Sequence, residues 1–231
     1  MPRKTEDDED YGGSLLSPRE RGRKEEGWDD DEDDEGGDDD DECGWKNSLE
    51  YLEQCTTQEL IAKVYELDSA CHKAAFVLAD YPGEKAAKAL LSLLPRPEPK
   101  QKPKSGVFQE AGIEEIVSAY ALGHQKEKRA VDHLVAGLSS GDYRMVAVSA
   151  WALGEIREEH AVAPLKEALQ HDEHETLWIS GMPLLTGGCY SGNGDLHDIF
   201  EDIQEDIMEG TDRHVSPIIV ALRKLGVDTQ E

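Results

Sequence analysis

The chain has 231 residues, with 51 Asp and Glu against 24 Lys and Arg, and a formal net charge of −27. Such a carboxylate surplus argues against direct binding to DNA or RNA, because phosphate recognition needs cations that displace counterions; it favours basic protein partners instead. No run approaches the roughly 18 uninterrupted apolar residues of a membrane helix, and the length suits one medium domain with a tail.

The charge is unevenly spread. Residues 1–45 hold 20 Asp and Glu against 6 Lys and Arg, a net of −14, while the remaining 186 residues carry −13. The run Asp29–Glu42, DDDEDDEGGDDDDE, has nothing apolar to bury. Self-repulsion and chain entropy keep such a segment unfolded. Residues 1–45 are therefore expected to be a disordered acidic tail, and 46–231 a folded domain. Trp28 and Trp45 lie inside and at the edge of that tail, and aromatics set in acidic disorder suit short recognition segments that dock on a basic, partly apolar groove. A solvated residue with no role is the competing reading. Cys43, Cys55, Cys71 and Cys189 show no paired spacing, and the first ten residues lack the apolar stretch of a signal peptide. Reduced thiols and a cytoplasmic location are the expectation.

In chain order, Asn47–Gln54 reads as a short amphipathic lid. Thr56 followed by Glu59 forms a capping box that opens the helix TQELIAKVYEL, the second helix of an incomplete leading repeat. Asp68 or Ser69 then caps ACHKAAFVLAD. Beyond these the chain repeats itself: Ala121–Leu138 and Ala152–Leu169 align without gaps at an offset of 31, with eight of eighteen positions identical. Ala-Leu-Gly ends a first helix, where Gly123 or Gly154 is expected to supply the left-handed turn. Ala-Val and two Leu then give a second helix its apolar stripe.

Two further copies follow from that frame. Val77–Leu94 matches at an offset of 44, the excess lying in a Pro/Lys-rich insertion near residues 95–106. His214–Leu222 matches Ala161–Leu169 at an offset of 53, which makes it a second helix. Its excess is a second insertion near residues 186–208: a Gly-rich loop, then LHDIFEDIQEDIM, with Leu196, Phe200 and Ile203 at helical spacing for an extra helix on the rim. The domain is thus all-α, an α-solenoid of about four helical hairpins and about nine helices, with no strand pattern.

The 31-residue period, the ALGxxxxxxAVxxLxxAL pattern and the connector LQHDEHETL resemble short HEAT-like repeats of the phycobilisome-lyase type, over roughly Thr57–Gly226. The resemblance implies an α-solenoid whose second helices line a concave face. It also implies three functional classes: interaction modules, bilin lyases and an iron-dependent hydroxylase. Fold alone does not choose among them.

His171, His174 and Glu175 have metal-ligand chemistry, and the resembled hydroxylase places His-Glu pairs near the start of first helices. One repeat back, however, the equivalent positions hold Tyr143 and Arg144, and a further step gives Gly112 and Ile113. An exposed turn with Asp172 as a helix cap is the better reading, and no cofactor is expected. Cys189, in TGGCYSGNGD, lies in an acidic neighbourhood unsuited to a nucleophilic thiol. Trp151 and Trp178 fall on first helices, where a chromophore contact competes with the commoner role of interior packing. Lys85, Lys88, Arg129, Asp132, His133 and Lys166 occupy second-helix positions away from the apolar stripe, a candidate partner surface or an ordinary mixed solvated face. The expectation is a non-catalytic protein-interaction scaffold, with a bilin lyase or chromophore-binding chaperone as the alternative and a metal-dependent hydroxylase behind it.

Overall fold

A computed structural model describes residues 47–67, 70–94, 111–170, 194–209 and 215–229. Among them every regular element is helical: α1 (Leu49–Leu52), α2 (Thr57–Glu66), α3 (Cys71–Val77), α4 (Glu84–Leu93), α5 (Ile113–His124), α6 (Val131–Gly137), α7 (Tyr143–Ile156), α8 (Val162–Gln170), α9 (Gly194–Met208) and α10 (Pro217–Lys224). Short 3-10 turns extend α3 (Leu78–Asp80) and lead into α6 (Lys128–Ala130) and α8 (Glu159–Ala161). The expected all-α stack of helical hairpins is what the described residues form. No helix among the described residues is long and apolar enough to cross a membrane.

Several helix starts follow directly from local sequence. Thr56 and Glu59 form the capping box in full: the Thr56 Oγ1 accepts from the Glu59 amide at 3.4 Å, and the Glu59 carboxylate accepts from the Thr56 amide at 2.8 Å. The Ser48 and Ser216 hydroxyls cap α1 and α10. Asp142 caps α7, accepting from the Arg144 amide through Oδ1 at 2.9 Å, while its Oδ2 accepts from the Ala111 amide at 3.0 Å. That second bond joins the start of one repeat to the start of the one before it. Asp68 and Ser69 lie outside the described residues.

The helices form two layers. The first helices α3, α5, α7 and α10 pack on one another in that order, and the second helices α2, α4, α6 and α8 each pack on the first helix that follows. As expected, α2 is a second helix with no first helix of its own. The first helices are apolar on every side: α7 buries Met145 through Gly154 and Ile156. A helix of that kind must be enclosed on both faces, and it is, by second helices on one side and α9 on the other.

Two expectations are corrected. Gly123 and Gly154 do not supply the left-handed turns. Both sit inside their helices, and the positive φ falls on Lys126 (55°) and Arg157 (57°), which are one 31-residue repeat apart. The glycines serve packing: a methyl built on Gly123 would meet Ala152 in the next first helix, and one on Gly154 would meet Ala221 in α10. The second correction concerns α10 itself, expected as a second helix. It packs against α7 as α7 packs against α5. Ala221, Leu222 and Gly226 stand 69 residues after Ala152, Leu153 and Arg157, and Gly226 repeats their left-handed turn at φ 75°. Pro217 falls in register with Pro164 of a second helix only because proline suits the first turn of either kind of helix; α10 is a first helix.

Candidate functional site

The feature that departs from a plain repeat stack is α9. It is an expected helix in an unexpected place: it lies across the first-helix layer, from α3 to α7, and not on a rim. Leu196, Ile199, Phe200, Ile203 and Ile207 are all at most 4% exposed. Their i, i+3, i+4, i+7, i+11 spacing puts them on one stripe of the helix. Five such side chains contribute on the order of 10 kcal/mol of burial, an upper bound because the unfolded chain already buries some of its surface. The stripe joins the same hydrophobic core as the repeat helices, so α9 is part of the core.

Two inward carboxylates fix its register. At its first turn, the Asp195 Oδ2 accepts from the Lys73 ammonium at 2.8 Å and from the Leu49 amide at 3.1 Å. Lys73 also donates to the Asn47 carbonyl at 3.0 Å, so one cluster ties α1, α3 and α9 together. Burial works against the Asp195 carboxylate, but the Lys73 ammonium and the Leu49 amide outweigh it and hold its pKa below the usual value. Near the other end, the Tyr120 hydroxyl donates to the Asp206 Oδ2 at 2.6 Å and the Trp151 Nε1 donates to the Asp206 carbonyl at 3.1 Å.

Beneath α9 runs an aromatic ladder. Phe76 stacks on Tyr120 at 5.9 Å between ring centroids, and Tyr120 on Trp151 at 5.1 Å, both nearly parallel. The three residues occupy one repeat position, separated by the offsets of 44 and 31 already seen in the sequence. Trp151 is 5% exposed, so its packing role holds and it presents no free face to a planar ligand.

The outward side of α9 has a different character. From Gly194 to Glu209 there are seven carboxylates and no Lys or Arg. With Asp195 and Asp206 engaged inward, Asp198, Glu201, Asp202, Glu205 and Glu209 are exposed along successive turns. Like charges three and four residues apart destabilise a helix, so α9 keeps its helicity through the apolar stripe. His197 stands among them, its Nδ1 3.8 Å from Asp198 and 3.9 Å from Glu201. The ligand-capable atoms of these three exposed residues lie within 4.8 Å of one another. The HDxxE spacing of this cluster is visible in the helical segment of the sequence, but is not among the candidates read there.

The sequence candidates fall in separate places. Lys85, Lys88, Arg129, Asp132 and Lys166 are exposed and His133 is half-buried, spread over the starts and outer sides of α4, α6 and α8. Arg129 is held by its neighbour Glu127, at 2.9 Å, and Lys128 reaches across to Glu158 of the next repeat at 2.6 Å. Arg144, which stood where a metal ligand would be needed, is a structural partner of Asp142 at 2.6 Å. Cys55 and Cys71 form no disulfide among the described residues; burial and the nearby Glu59 push the Cys55 thiol up, away from nucleophile chemistry. His171, His174, Glu175, Trp178, Cys189, Trp28 and Trp45 lie outside the described residues.

Comparison with curated proteins and with solved structures found no match. Residues 115–178, from α5 past the end of α8, match the family model described as HEAT repeats, in keeping with the helical-hairpin packing of α5 to α8.

Proposed function

We propose that the chain is a non-catalytic protein-interaction scaffold for basic partners. The observation that carries this reading is the outward row of carboxylates on α9, held rigidly over the repeat stack by an apolar stripe and two inward anchors. HEAT repeats commonly serve protein–protein interaction, which supports the scaffold class. The acidic run Asp29–Glu42 ends five residues before Asn47, whose carbonyl shares Lys73 with Asp195. The sequence thus carries a second acidic stretch a few residues before Asn47. A basic segment gains from both, and electrostatic complementarity of this kind mainly sets on-rate and partner choice.

The second-helix residues Lys85, Lys88, Arg129, Asp132, His133 and Lys166 form a further candidate surface, since α9 covers the opposite layer. Assignment of the repeats to the short phycobilisome-lyase type rests on the 31-residue period. The bilin-lyase reading draws no support from the buried Trp151, and the hydroxylase reading none from Arg144.

Affinity purification with the full chain as bait tests the proposal. A Lys/Arg-rich partner should be recovered at low salt, released between about 50 and 300 mM salt as screening shortens, and lost with Glu201→Lys/Glu205→Lys. Recovery of partners that bind the charge-reversed chain equally well overturns the role given to α9.

A further inference from the structure

We draw no further inference here: the strongest candidate, the His197, Asp198 and Glu201 cluster on the outer side of α9, is an exposed, mostly acidic group, and no second observation among the described residues points to a ligand for it.

Discussion

Gly123 lies so close to Ala152 that a methyl group placed on it would come within 2.5 Å of the Ala152 Cβ and 2.7 Å of its Cα. The backbones of α5 and α7 meet there, and Gly154 stands in the same relation to Ala221 of α10, at 3.0 Å from its Cα. In an uncrowded helix, Gly→Ala stabilises by about 0.5–1 kcal/mol. Here overpacking reverses the sign. Gly123→Ala should cost about 1–3 kcal/mol, and Gly154→Ala less, because its contacts are longer. Denaturant unfolding of both variants measures this, and a stabilised Gly123→Ala would show that the helices do not meet at that point.

These glycines also show what a single sequence yields. The repeat at offset 31 was legible because Ala121, Leu122 and Gly123 recur unchanged as Ala152, Leu153 and Gly154. The reason for the glycine was not, because close backbone approach and a left-handed turn select the same residue. Only the positive φ at Lys126 and Arg157 separates them. The helicity of α9 was legible from Leu196, Phe200 and Ile203. Its position depends on Phe76, Tyr120 and Trp151, far apart in the chain, which no local period connects to Asp206.

Removing the side chain of Phe200, fully buried on the inner side of α9, should cost about 3–5 kcal/mol as Phe200→Ala. Tyr120→Phe keeps the ring stack and removes one hydrogen bond to a carboxylate, for about 1.5–3 kcal/mol. In Tyr120→Phe, hydrogen exchange should quicken around Asp206 and leave α2 unchanged. Uniform quickening throughout the stack would instead mean that the bond has no local role.

Ser118 and Ser149 are one repeat apart and fully buried, and their hydroxyls have no hydrogen-bond partner among the described residues. A buried hydroxyl left unpaired costs free energy, and alanine is the better helix former. Ser149→Ala and Ser118→Ala should therefore raise stability, each by about 1 kcal/mol. The Ser149 hydroxyl faces Gly137, so a larger residue there should destabilise. A lowered melting temperature in both alanine variants would contradict the unpaired state of these groups.

The pH dependence follows from Asp195 and Asp142. Both carboxyls are held below their usual pKa: burial opposes ionisation at each, and Lys73 with the Leu49 amide, or Arg144 with the Ala111 amide, outweighs it. Groups of this sign bind fewer protons folded than unfolded. Their contribution is present above the ordinary Asp value, near 3.9, and is lost as pH falls through the lower folded value. Asp195→Asn should reduce stability at pH 7 and narrow its gap to the parent chain below about pH 4. A gap that stays constant down to pH 2 would remove the Lys73 pair as its cause.

The outer side of α9 allows stability and binding to be separated. Glu205 has Glu201 and Glu209 four residues away on either side, so Glu205→Lys replaces two like-charge pairs with two opposite-charge pairs. The helix should gain, with a melting temperature higher by roughly 2 °C at low salt. Affinity for a Lys/Arg-rich ligand should fall at the same time, since the substitution places a cation within the carboxylate row. Because the two effects have opposite signs, lost binding cannot be ascribed to damaged folding. For the parent chain, an arginine-rich peptide should raise the melting temperature at low salt and have no effect near 0.5 M salt, where the Debye length is only about 4 Å. If Glu205→Lys is stabilised and still binds the peptide as the parent does, the carboxylates on α9 do not contact basic partners.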